Sequence, residues 1–228
     1  MTSLSPVVEK MYTLIRAWET QNDRRAIFLN CYAQMTQNML LAVDAGEFHD
    51  RVWVTKLLHR FAEYYFVALD SYDHAQPAPP VWQVAFDAAA HPHSTTLQNL
   101  FLGVNAHINY DLVLTLYDML LPEWVNLSHA LRQSRYQDHT HVNDIIAATI
   151  DGVQDTVVER YTPEMEWVDK VLGPLDEWMT AKMIARWRET VWHQAVKMVE
   201  TSSETARAGI REKVEEGALH MARFIARI

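Results

Sequence analysis

Apolar residues recur every three to four positions along almost the whole chain, a period that predicts helices throughout. Residues 6–20 read as the first, with Ser5 as N-cap and Pro6 at the first position. A second starts at Asp23 and reaches about Val43, with Phe28, Tyr32, Met35, Met39 and Val43 on one face, and Gly46 ends it. Asp50 caps a third that runs to about residue 73, its inner face formed by Trp53, Leu57, Phe61, Tyr64, Ala68 and Tyr72. The Pro-rich segment 76–80 reads as a stiff turn inside one domain, because the pattern on its two sides is alike. A short helix over 80–90, a His-Pro-His-Ser turn and a long helix over 97–119 follow. Pro122 sets off residues 123–135, and Asp138 begins a helix reaching about Tyr161. Pro163 and the Gly173-Pro174 pair delimit helices near 163–172, 174–200 and 203–227. The last of these, at 203–228, is charge-rich and reads as a solvated outer element. No strand-like alternation with hairpin turns occurs, so the expectation is an all-α, bundle-like single domain over residues 1–228, with eight or nine helices and no sheet.

Several polar residues fall where this pattern points inward. On the 97–119 helix the apolar stripe is Leu97, Leu100, Phe101, Val104, Ile108 and Thr115. At roughly 100° per residue, Asp111 lies within about 20° of Val104 and His107 within about 60°. On the helix from Asp138 the apolar face holds Val142, Ile146, Thr149, Val153 and Val157, with His139 and Asn143 beside them. On the 174–200 helix the stripe is Trp178, Ala181, Ala185, Trp192, Ala195 and Val199, with Arg188 in its middle. A buried carboxylate and a buried guanidinium each need a partner, so Asp111 and Arg188 are expected to pair.

Composition narrows what such a cluster could serve. Hydrophobic residues make up 49% of the 228 and charged residues 21%, enough for a packed core. Eight tryptophans and nine tyrosines are more than core filling requires and suit a pocket wall. A net charge of −9 without a Lys/Arg-rich stripe speaks against nucleic acid as a partner. One cysteine, Cys31, allows neither an intramolecular disulfide nor a cysteine-based zinc site, and it reads as an inert core thiol. No signal-peptide pattern and no run of about 18 apolar residues is visible, so a cytoplasmic protein that does not cross a membrane is expected.

Three chemistries fit the inward polar set. It can be a structural network that fixes helix docking. It can line a small-molecule pocket, in which His107 or His139 is the general acid or base, Asp111 orients it and Arg188 takes an anionic group. Or His107, Asp111 and His139 can hold a metal ion, which a neighbouring guanidinium would repel, so a metal-free site is favoured. The chain carries no His-Glu-x-x-His, no Glu-x-x-His, no Gly-x-Ser-x-Gly and no phosphate-binding glycine loop.

The stretch Leu-Gly-Val-Asn-Ala-His-Ile-Asn-Tyr-Asp-Leu at 102–112 resembles the hallmark of an uncharacterised, all-helical bacterial family, domain of unknown function 5995. Other segments are similar to it: Phe28, Tyr32 and Thr36; Phe61 with Tyr64 and Tyr65; Ala68-Leu69; Pro79-x-x-Trp82-x-x-Ala85-Phe86-Asp87; Val142-Asn143; and Arg188 four residues before Trp192. The resemblance implies the helical fold and carries no activity with it. The functional expectation is therefore a small-molecule enzyme or binding protein with an aromatic-lined internal pocket. His107, Asp111, His139 and Arg188 are its catalytic candidates, and Tyr32, Tyr64, Asn143 and Trp192 its ligand-binding ones. The alternative is a non-catalytic interaction module, which a solid core beside His107 would favour as a ligand-sized cavity would favour the first reading.

Overall fold

The computed structural model describes residues 5–153, 157, 159–161 and 166–227. Among these the structure is helical, with no strand: α1 Pro6–Thr20, α2 Arg25–Ala45, α3 Arg51–Asp73, α4 Pro80–Ala90, α5 Thr96–Ala106, α6 Leu112–Leu120, α7 His129–Val153, a single turn α8 at Glu159–Tyr161, α9 Glu166–Glu200 and α10 Glu204–Ile225. A π-helical turn, His107–Asp111, joins α5 to α6 without a break. The rod so formed is the centre of the molecule: α2, α4 and α10 pack on α5, and α3 and α9 on α6. α1 lies on α2, and α7 bridges α2 and α9.

Local chemistry accounts for most boundaries. Asp50 accepts from Trp53 N to start α3, and Gly46 ends α2 with φ +81°, a left-handed turn that side chains disfavour. Asp23 accepts from Arg25 N, so α2 begins two residues after it. Thr95 and Gln98 form a reciprocal capping box at the head of α5. The expected break before Asp138 does not occur, and α7 runs straight through it. Asp138 is buried within α7 and caps another helix's approach, accepting from His49 N at 2.8 Å and Asp50 N at 3.0 Å. Nor does Gly173-Pro174 end a helix, since both lie inside α9. Proline removes one donor but holds a helical φ, so one hydrogen bond can be lost without an exit of the chain. The helix start expected at Pro163 and the inward placements expected of Val153 and Trp178 fall outside the described residues.

A single stripe does not describe the central rod, because it has neighbours on most sides. Leu102, Gly103, Ala106, Tyr110 and Leu112 through Leu116 are buried, while Leu97 is exposed and Phe101, Val104 and Ile108 are half-buried. Gly103 is required by packing: a Cβ there would lie 2.3 Å from the Phe28 ring, so no larger residue lets α2 come this close. α10 sets Val214, Ala218 and Ala222 against α4 and α5 while its charged side faces out. Among the described residues no helix is long and apolar enough to cross a membrane.

Candidate functional site

The helix motif divides by spacing. Residues four apart share a helix face, so Asn105 and Asn109 form one pair and His107 and Asp111 another on the opposite side. Asn109 Nδ2 donates to Asn105 Oδ1, and Asn105 Nδ2 donates to Ala218 O, which ties the rod to α10. His107 and Asp111 face α2, α3 and α4. In the π turn Leu112 N reaches back five residues to His107 O, and Thr115 Oγ1 donates to Asp111 O.

Asp111 is 1% exposed and sits between two side chains. Trp82 Nε1 donates to both carboxyl oxygens, at 3.1 and 2.9 Å, and His107 Nδ1 lies 3.1 Å from Oδ2. The His107 ring stacks on Phe61, with centroids 3.5 Å apart and planes 9° from parallel, and meets Tyr32 edge-on at 4.2 Å. Phe28, pressed against Gly103, touches both Trp82 and His107. Burial pushes the Asp111 carboxyl well above its usual range, with the Trp82 N–H pulling the other way, and burial pushes His107 well below its own. No cation balances the pair among the described residues, so it is held as a charge-neutral unit that carries two protons. In either arrangement of that unit Nδ1 faces Asp111 and Nε2 carries a hydrogen. Nε2 is buried and has no hydrogen-bond partner.

His107 lines a cavity of about 110 Å³, of the same order as the roughly 150 Å³ that admits benzene to an engineered core. Phe28, Tyr32, Leu57, Phe61, Val142 and Ile146 are among its mostly apolar walls, and its polar side chains are Cys31, Tyr32, Thr36, His107 and Arg188. Burial raises the Cys31 thiol to about 12, which keeps it protonated. Burial, followed by the Asp111 charge, raises the Tyr32 phenol, so it too stays neutral.

Arg188 does not pair with Asp111, contrary to the sequence expectation. Its Nε donates to Asn143 Oδ1 at 2.8 Å and its Nη2 to His139 O at 2.8 Å. α9 brings it to the α7 side of the cavity, whereas Asp111 faces α4, and Trp82 fills the place foreseen for the guanidinium. His139 lies in the same cluster as Arg188. Its Nε2 is 3.0 Å from Arg188 O, an acceptor, so Nε2 carries the proton and Nδ1 faces Arg188 Nη2 at 3.4 Å. With both nitrogens engaged, His139 has none left for acid–base work; burial and then the Arg188 charge hold it neutral. Burial also pushes Arg188 down to about 9, so it remains charged at neutral pH.

The other expected residues divide. Tyr32 lines the cavity. Tyr64 points away and donates to Asp118 Oδ2 at 2.7 Å beside Arg60, while its neighbour Tyr65 is the one buried against Phe28 and Trp82. Asn143 holds Arg188, and Trp192 packs on His139, Trp124 and Tyr136; neither is a cavity wall. Phe61 and Trp82 were not expected at the site. Trp82 is the tryptophan of the Pro79–Asp87 stretch, and its N–H is the clue that it could serve a buried acceptor. Among the described residues no three His, Cys, Asp or Glu side chains are grouped to hold a metal ion, and His107 with Asp111 makes only a pair. A larger open depression of about 810 Å³ beside the α1–α2 turn is lined by charged groups that already have partners, such as Arg160 on Glu19.

Fold and site together define an all-helical protein with a mostly apolar cavity whose lining includes a buried histidine and a buried arginine. The profile of a family of unknown function (DUF5995) matches residues 4–228, and the chain belongs to that family. No curated protein and no solved structure matches it.

Proposed function

We propose that the protein binds a small, largely apolar organic molecule in the cavity beside His107, which presents a proton donor to an oxygen of that molecule. The observation that carries this reading is the Nε2 of His107, a buried nitrogen without a partner on a residue that lines a cavity. Leaving such a group unsatisfied costs about 1–3 kcal/mol, which a ligand oxygen recovers. Asp111 fixes the ring through Nδ1, and Phe61 and Tyr32 hold its plane, so the donor is pre-oriented. A neutral imidazole backed by a carboxyl is also suited to exchanging a proton with a bound carbonyl or hydroxyl, which makes metal-free acid–base catalysis the activity to look for.

Benzyl alcohol, cyclohexanone and toluene provide a direct test at millimolar concentration. The two oxygen-bearing probes should raise Tm more than toluene does and should shift the His107 ring nitrogen resonances. His107→Phe keeps a ring to stack on Phe61, and it should erase the preference for oxygen. No rise in Tm with any probe would overturn the reading.

A further inference from the structure

We infer that the molecule taken by this cavity is a small hydrophobic monocarboxylate, its carboxylate set against Arg188; this rests on the binding reading above. Arg188 is 4% exposed, lines the same cavity as His107, and has no carboxylate partner among the described residues. Its bonds end on the Asn143 amide oxygen and the His139 carbonyl, which are neutral, so neither balances the guanidinium charge. His139 is held neutral and the His107–Asp111 pair is neutral as a unit, so the groups around the cavity sum to one positive charge. An uncompensated buried cation is costly, and an anionic ligand removes that cost.

Other features limit the anion. Beyond Arg188 and the His107 Nε2, the polar wall groups are Cys31, Tyr32 and Thr36, and the Thr36 hydroxyl already donates to Tyr32 O. A phosphate dianion needs more donors and more countercharge than this. A carboxylate carries one charge and matches a planar guanidinium, and the remaining apolar wall suits a short alkyl chain or one aromatic ring.

The test compares butanoate, hexanoate, octanoate and benzoate, each with its own primary amide, by calorimetry and Tm at neutral pH. At least one acid should bind about tenfold or more tighter than its amide, the factor that corresponds to one charge-assisted contact. In Arg188→Met that preference should vanish, so that each acid binds no tighter than its own amide. If the Met variant does not fold, Arg188→Lys keeps the charge without the planar fork and should reduce the preference. Amides that bind as well as the acids would overturn the inference and leave the binding reading in place. A preference for acids that survives in Arg188→Met, or that Arg188→Lys leaves undiminished where it is the variant measured, would also overturn it. No binding and no change in Tm with either class would overturn the binding reading itself.

Discussion

The cavity has two polar ends, and they handle burial in opposite ways. On the α4 side, Trp82, Asp111 and His107 share protons until no net charge is left, and one nitrogen is unused. On the α7 and α9 side, Arg188, Asn143 and His139 satisfy one another's hydrogen bonds but leave a whole charge unbalanced among the described residues. Both ends contain a buried histidine. His107 has a buried nitrogen without a partner, and His139 has both nitrogens engaged. Hydrogen-bond satisfaction and charge balance are therefore separate requirements, and a ligand that meets both ends would complete each.

Asp111→Leu should have the largest effect on this contrast. It strands Trp82 Nε1 and His107 Nδ1 in the core, and at about 1–3 kcal/mol each the loss should be about 2–6 kcal/mol by denaturant unfolding. A smaller loss than this range would show that water reaches the pair. Gly103→Ala comes next. Its Cβ would collide with Phe28, whose ring braces Trp82 and His107, and overpacking of this kind costs about 1–3 kcal/mol.

Acidification tests the histidines as a pair. Both are depressed in the folded state, so each contributes stability that is full above about 6.5 and is lost as pH falls toward its folded value. Asp111 is raised, so its contribution is present below its ordinary range and is lost as pH rises through its folded value. Two histidines against one carboxyl leave a net fall in Tm on acidification below about 6.5. His107→Phe leaves one histidine against one carboxyl and should remove most of that fall; an unchanged slope would place the titration elsewhere.

The smallest changes in stability discriminate best. Asp111→Asn imitates a protonated carboxyl, accepting from Trp82 and donating to His107 Nδ1, and should cost less than about 1 kcal/mol. A large loss would mean that Asp111 is ionised, with the second proton of the unit on His107. Arg188→Met strands no carboxylate and should shift stability by no more than about 1 kcal/mol, in either direction, because a buried charge is removed as two hydrogen bonds are lost. A loss of several kcal/mol would show that the guanidinium already has a countercharge.

What the sequence determined is what depends on neighbours along the chain. The 3.6-residue period, the Asp50 cap, the left-handed Gly46 and Pro6 at a helix start are local, and the helices formed as they dictate. That His107, Asp111, His139 and Arg188 turn inward was likewise legible, because a polar residue on an apolar face reveals itself by spacing. Which inward groups meet was not legible. Charge complementarity suggested Asp111 with Arg188, but partner choice depends on how helices cross, and α4 brings Trp82 to Asp111 while α7 brings Asn143 and His139 to Arg188. Asp138 shows the same limit: a helix cap by its place in the sequence, it caps the approach to α3 from inside α7. A cavity has no local signature at all. It is the space that α2, α3, α5, α7 and α9 leave between them, and only their packing decides that His107 and Arg188 both line it.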